Sequence, residues 1–339
     1  MPQTSLRTLL ALVVFPSLSA LALYHTFGLL KADGTLQTLR AQCESSISSA
    51  ASSLERTYFT SFTGNNPIDE QLCVLVRFFN IMISSSEALP FLAYGIGISL
   101  PIVVLPLVGS YKVGGSRLLG YPAIWGLLSQ VATVGVVYPI YWLAVIMSTR
   151  TQDPKISGPR SFTTAEAQAI IFGVLVGAII PSVAMIMLND TEIILGWQFY
   201  PLLVSVASFG HLVWRPKESF SQPGLGLIQI LYFGAFMVSS SVHIATVWPM
   251  IQNLDTLSKF LLPTATPLPT SLDIDLHLLN FLKWDLMFAF SATSLAMLWF
   301  TRSIKQCVAV LTWYIFSIPT VGFGAAVMGV AIWKDNILH

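Results

Sequence analysis

Long apolar runs separated by short polar breaks dominate this chain. Eight of them are long enough to cross a bilayer as an α-helix, which takes roughly 20 residues. They cover 6–27, 88–109, 122–146, 165–188, 192–214, 224–248, 277–300 and 307–333. The ten-residue alternating segments of a transmembrane barrel are not seen. The pattern predicts an all-α polytopic membrane helix bundle with about eight transmembrane helices.

Three regions follow from this pattern. Residues 1–27 form an N-terminal transmembrane anchor. Arg7 before the run, and Ser17, Ser19 and Ala20 within it, also suit a signal peptide. The run extends to Phe27, long for a cleaved segment, so a retained anchor is preferred. Residues 28–87 form a polar, Ser- and Thr-rich loop, in which 72–83 is too short to cross and lies in the interface. Residues 88–339 form the helix bundle that carries the site. Within it, 249–276 contains Pro263, Pro267 and Pro269 and reads as an irregular cap. Asn189-Asp190-Thr191 is a glycosylation sequon in a tight turn and is expected to stay unmodified.

Charge then orients the chain. With eight straight spans, one side holds Lys31, Arg40, Arg56, Arg77, Arg150, Lys155, Arg160, Arg215, Lys217, Arg302 and Lys305. The other holds Arg7, Lys112, Arg117, Lys259 and Lys334. The positive-inside rule makes the first side cytoplasmic, so 28–87 is expected in the cytosol and the termini in the lumen. Cys43 and Cys73 would then remain reduced. Cys307, in an apolar run, reads as packing.

Composition agrees with a membrane protein. Hydrophobic residues make up 54% and charged residues only 10% of the 339 positions, against about 25% charged in soluble domains. A net charge of +1 gives no sign of a nucleic-acid partner. No CxxC or His/Cys cluster suggests a metal site.

The most informative residue is Asp285. It stands inside the apolar run of Leu278 to Phe300, eight residues or roughly 12 Å beyond His277. A carboxyl at that depth is costly and marks a functional site by default. Phe281 and Phe288 share its helical face, and Trp284 is adjacent in sequence. The bland reading is a structural acid paired with Lys283 or Arg302. The other acids have structural explanations. Glu87 follows three serines and Glu166 two threonines, as in helix caps. Asp190 and Glu192 form a single patch at a turn. Asp273 and Asp275 lie in a loop and lack the third acid of a DxDD motif. No DDxxD string occurs, so metal-triggered diphosphate ionisation is not supported. His211 and His243 suit hydrogen-bonded packing, although His243 follows three serines and is also a site candidate.

An ordered set of motifs carries a family resemblance. It runs from Tyr121-Pro122-Ala123-Ile124-Trp125 through Gln130 to Val137-Tyr138-Pro139-Ile140-Tyr141-Trp142. It continues with Trp197-Gln198-Phe199-Tyr200-Pro201, Phe281-Leu282-Lys283-Trp284-Asp285, Phe323-Gly324-Ala325-Ala326 and Trp333-Lys334-Asp335. Together these resemble the fungal integral-membrane terpene cyclases of meroterpenoid biosynthesis, the ascofuranone and macrophorin type. The chain departs from them at Gly109-Ser110-Tyr111-Lys112, where the family carries an acid and an arginine.

The resemblance implies an isomerase-type cyclase acting on a farnesylated, often epoxidised, aromatic precursor in secondary metabolism. Asp285 would be the protonating acid. Trp284, Phe288, Phe281, Trp125, Gln130, Tyr138, Tyr141, Trp197, Tyr200 and His243 would bind substrate and its cations, with Gln130 or His243 near the final deprotonation. No metal or other cofactor is expected. The expected partners are the prenylated small-molecule substrate, membrane lipid and other pathway enzymes, and the expected location is the endoplasmic reticulum membrane. The competing classes are a non-catalytic accessory protein and a small-molecule transporter. A transporter would show more buried charges and internal repeats. A membrane prenyltransferase would need two aspartate-rich motifs.

Overall fold

The computed structural model describes residues 2–48, 62–112, 119–151 and 162–338. Arg56, Arg117, Lys155 and Arg160, counted above, lie outside them. Regular structure among the described residues is helical, apart from one isolated bridge between Thr163 and Pro223.

Helix α1 (Pro2–Leu23) continues through a π-turn (Tyr24–Gly28) and a last turn (Leu29–Ala32). Then α2 (Thr35–Ser48) and α3 (Asn66–Ser84) cap one end of the bundle. Helices α4 (Leu89–Ile98) and α5 (Leu100–Lys112) make one crossing. Next come α6 (Pro122–Ala132) and α7 (Val134–Thr151). Helices α8 (Thr164–Val174) and α9 (Ile180–Leu188) flank a second π-turn, Leu175–Ile179. Helices α10 (Thr191–Trp197) and α11 (Tyr200–Trp214) are bent by 65° at their junction. Last are α12 (Leu225–Val247), α13 (Leu254–Leu261), α14 (Ile274–Trp299) and α15 (Ile304–Leu338). Six described spans are long and apolar enough to cross a membrane, and the bent pair makes a seventh. Exposed apolar side chains such as Phe209, Val213, Ile315 and Phe316 suit a hydrocarbon surrounding.

Two expected spans reverse direction part-way. Residues 122–146 were expected to cross the membrane. The rings of Trp125 and Tyr141 instead lie 5.4 Å apart, where sixteen residues of straight helix would separate them by about 24 Å. The chain enters as α6, reverses at Thr133 (φ 70°, ψ 155°) and returns as α7. Residues 307–333 were expected as one span. Trp313 Nε1 donates to the Ala326 carbonyl at 2.9 Å, although thirteen residues of straight helix would span about 20 Å. The break is Gly322, at φ 85°. A Cβ there would meet the His243 ring at 2.7 Å, so glycine is required both sterically and conformationally. Helix α15 is therefore two antiparallel arms, 304–321 and 323–338. Eight crossings result, but by a different route from the expected one.

This route changes which loops share a side. Arg7 Nη1 donates to the Thr301 carbonyl, joining the start of α1 to the turn before α15. That end of the bundle gathers eight of the described cations: Arg7, Lys112, Arg150, Arg215, Lys217, Arg302, Lys305 and Lys334. The cap end holds four, Lys31, Arg40, Arg77 and Lys259, while Lys283 lies within α14. The expected grouping placed Lys31, Arg40 and Arg77 with Arg215 and Arg302. The α6–α7 hairpin separates them, because it returns the chain to the side it came from.

The cap is anchored to the bundle. Leu39, Val76, Met82 and Ile83 bury against Leu278 and Trp197. His277 Nδ1 lies 2.7 Å from Asp33 Oδ2, with both side chains buried. Ser85 Oγ donates to Asp275. Cys43 and Cys73, expected as reduced thiols, are joined in a disulfide that ties α2 to α3. Cys307 is free.

Candidate functional site

Asp285 is buried (7% exposed) midway along α14. Its Oδ1 accepts the backbone N–H of Gly135 at 2.5 Å. Gly135 is the second residue of α7, whose first N–H groups have no partner within the helix. The tip of the re-entrant hairpin thus presents a helix N-terminus to the carboxyl. The Thr133 hydroxyl beside it is buried and makes no hydrogen bond of normal geometry to a described residue. A Cβ on Gly135 would stand 2.6 Å from the Asp285 carbonyl oxygen and 2.8 Å from Oδ1. Only glycine lets the two backbones approach so closely. Among the described residues no ion pair involves Asp285. Lys283, its expected structural partner, donates instead to the Lys259 carbonyl at 2.5 Å.

Asp285 borders a cavity of about 410 Å³, within the range of small-molecule sites, roughly 300 to 1,000 Å³. Its walls come from the irregular parts of the fold. These are Ser129, Gln130 and Val131 of α6, Thr133 and Val134 of the reversal, Ala178 and Ile179 of the π-turn, and Trp197 and Tyr200 at the α10–α11 bend. Such backbone at membrane depth is tolerated where it lines a cavity. Phe27, Phe78, Phe79 and Phe281 add aromatic faces, and Leu36, Leu39, Arg40 and Gln71 close the cap end. Around Asp285 the polar side chains are Ser99, Ser129, Gln130, Thr133, Ser182 and Tyr200, with Arg40 and Gln71 at the cap end. Ser182 Oγ accepts from Trp197 Nε1 at 2.9 Å.

The expected substrate-binding residues divide into two groups. Phe281, Gln130, Trp197 and Tyr200 line this cavity with Asp285. The others do not. Trp284 and Phe288 face α1, where the Trp284 ring stacks on His25 at 4.2 Å and its Nε1 donates to the Thr264 carbonyl. At 100° per residue, Trp284 points well away from Asp285. Tyr138 is buried and donates to the Ile102 carbonyl. Trp125 packs on Tyr141, and Tyr141 lines a different cavity. His243 is held between the Tyr94 hydroxyl (3.0 Å) and the Pro319 carbonyl (3.2 Å), beside Gly322.

The structural readings of Glu87 and Glu166 hold, whereas Asp275, expected in a loop, is the second residue of α14, with Asp273 just before it. Thr163 and Glu166 form a reciprocal capping box, with Lys217 Nζ 2.6 Å from Glu166. Ser85 caps the turn at Glu87 and Ala88. Asp190 caps α10 through the amides of Glu192 and Ile193. Among the described residues no three His, Cys, Asp or Glu side chains gather as a metal-binding group. Sequence reasoning missed Thr133 and Gly135, the aromatic residues Phe27, Phe78 and Phe79, and the serines. Gly135 was the readable signal, as a glycine inside an apolar helical run costs about 1 kcal/mol against alanine and so asks for a packing reason.

A model of the CtvD domain family matches residues 10–337. The chain is similar to terpene cyclase ascI of Acremonium egyptiacum, with 25% identity over 273 residues, 75% of this chain and 70% of that one. It is also similar to a terpene cyclase of Pyrenophora dematioidea, with 27% identity over 193 residues, 57% of this chain and 52% of that one. No solved structure matches.

Proposed function

The chain belongs to the CtvD domain family, and on that premise we propose that it is a membrane-bound terpene cyclase. In this reading it cyclises a farnesylated, epoxidised or terminally unsaturated precursor in fungal meroterpenoid biosynthesis. The observation that carries it is Asp285, an acid at membrane depth bordering an apolar, aromatic-walled cavity of about 410 Å³.

The mechanism starts with the Asp285 carboxyl in its protonated form. It gives its proton to an epoxide oxygen, opening a C–O bond, or to a terminal alkene carbon. The Gly135 amide steadies the carboxylate that forms as the proton leaves. Neighbouring double bonds attack the electron-poor carbon in turn, and rings close. Trp197, Tyr200, Phe281 and Phe79 offer π-faces to the migrating charge, worth about 2 kcal/mol or more each when desolvated. The apolar wall keeps out water that would trap the cation early. A water held by Gln130 and Ser129 takes the final proton from the cation and passes it on to the Asp285 carboxylate, which restores the carboxyl. Substrate and product have the same atoms, so the change is an isomerisation.

The broken helices would also suit a transporter. Turnover separates the two readings. Purified protein in nanodiscs, given a farnesylated phenol or its terminal epoxide, should release a cyclic isomer without partner proteins. Asp285→Asn should lower kcat by about 10²- to 10⁴-fold. Wild-type turnover by that variant would remove Asp285 from the mechanism.

The orientation proposed here places the cap in the endoplasmic reticulum lumen and the cation-rich end in the cytosol. Two separate features support it. The disulfide belongs in an oxidising compartment, and the larger group of cations lies at the opposite end.

A further inference from the structure

The cap covers the Asp285 cavity with one face of each of its two helices. On α2 that face is Leu36, Leu39 and Arg40, and on α3 it is Gln71, Val74, Leu75 and Phe78. These are the three- and four-residue spacings of a single helical face. The Cys43–Cys73 disulfide locks the two faces together, three residues after Arg40 and two after Gln71. The buried His277–Asp33 contact fixes the cap against α14. Arg40 and Gln71 are thus held in place at the rim of the cavity.

Arg40 is the one cation lining the cavity, and Asp285 is the one acid. Neither Arg40 nor Gln71 makes a hydrogen bond or ion pair with a described residue. Arg77, also on α3, instead donates to Gln42 Oε1 at 3.0 Å and does not line the cavity. The two charge-bearing groups stand at opposite ends. His277, where the cap is docked, precedes Asp285 by eight residues, about 12 Å of helix. An extended prenyl chain bridges such a distance, and Phe78, Phe79 and Phe281 line the way.

We propose that Arg40 and Gln71 form a head-group subsite, and that the polar end of the substrate carries a carboxylate. This rests on the reading of Asp285 as the protonating acid, which places the tail of the chain at the deep end. The guanidinium fork takes the two carboxylate oxygens, and the Gln71 amide donates a further hydrogen bond. One cation balances one negative charge. A phosphate or diphosphate brings more charge than this rim neutralises, and Leu36, Leu39, Val74 and Leu75 beside it offer no donors. An ester or alcohol leaves the guanidinium without a counter-charge. Holding the head at the rim also sets which double bond reaches Asp285, so Arg40 acts as a positioning residue.

The test is calorimetric titration of the full-length protein in nanodiscs, with empty nanodiscs as the blank. The probes are farnesoic acid and its methyl ester at pH 7. The acid should bind saturably and about tenfold more tightly than the ester, the effect of one charge-assisted contact. Arg40→Gln should abolish this preference by weakening the acid about tenfold and leaving the ester unchanged, while Arg40→Lys keeps part of it. Gln71→Leu should also narrow the preference, and it serves alone if Arg40→Gln does not fold. An unchanged acid-to-ester ratio in the folded variants, equal loss of both ligands, or tighter binding of farnesyl diphosphate than of farnesoic acid would each overturn the proposal. Turnover is a separate readout. An Arg40-dependent preference in a protein that cyclises nothing would remove the cyclase reading and keep the subsite, whereas turnover without the preference would do the opposite.

Discussion

Asp285 and Gly135 stand 150 residues apart in sequence and are joined by a 2.5 Å hydrogen bond. This contact fixes the tip of a re-entrant hairpin against the middle of α14. Thr133 takes a positive φ at that tip, a costly conformation for a β-branched residue. The arrangement persists because the Asp285 carboxyl satisfies an N–H group that the hairpin exposes. One residue thus both anchors the hairpin and borders the cavity.

Gly135→Ala should uncouple these two roles. The added methyl group overlaps Asp285 backbone and carboxyl atoms, so the tip must move by the better part of an ångström. Displacements of that size cost about 100-fold in rate. Cyclisation should fall accordingly, while helix content by circular dichroism stays near wild type. Full activity in this variant would show that the contact does not position the acid.

Trp197→Ala and Trp284→Ala should behave differently. Trp197 faces the cavity, whereas Trp284 stacks on His25 outside it. Loss of one desolvated cation–π contact, about 2 kcal/mol, corresponds to roughly 30-fold in rate. Trp197→Ala should lose about that much and release early-quenched, partly cyclised products. Trp284→Ala should keep the wild-type product pattern and lose only thermal stability. Product profiles by chromatography decide the matter, and the reverse pattern would place the cation on the other face of α14.

The Cys43–Cys73 disulfide closes thirty positions of sequence and holds the cap over the cavity. Loop-closure entropy gives it a stabilising effect of about 3 to 4 kcal/mol. Cys43→Ser should lower the midpoint of thermal inactivation, and reductant should bring wild type down to the same midpoint. A wild-type midpoint indifferent to reductant would mean that the bridge contributes nothing to the cap.

Much of this fold is readable from hydropathy. The apolar runs mark the helices, and Asp285 stands out because a carboxyl in hydrocarbon needs a reason. Helix direction is less visible. Residues 122–146 have the same apolar composition whether they cross or turn back, and the turn is made by Thr133, which has no turn signature. Gly322 is one of several glycines near the C-terminus, and only the contact of Trp313 with Ala326 shows that the chain reverses there. Neighbours in sequence are also parted by the turn of the helix itself. Trp284 is next to Asp285 in sequence but about 100° round the helix. The cavity's other aromatic residues, Phe27, Phe78 and Phe79, come from the N-terminal helix and the cap, which look remote in sequence.

The reversals also decide which loops share a compartment. Eight straight spans would put residues 28–87 beside the 301–306 turn. With α6–α7 turning back and α15 folded in two, these segments lie at opposite ends, and 28–87 joins the 249–273 cap. Single cysteines in a Cys307→Ser background can distinguish these arrangements. In sealed microsomes, an impermeant maleimide should label Ser303→Cys. Gln37→Cys and Thr266→Cys should react only after detergent is added. A tag fused to the C-terminus should be removed by external protease, because the second arm of α15 returns to the cation-rich end. Straight spans predict the reverse for Gln37→Cys and for the tag. Labelling of Gln37→Cys in intact vesicles would therefore refute the hairpin at Thr133 together with the lumenal cap.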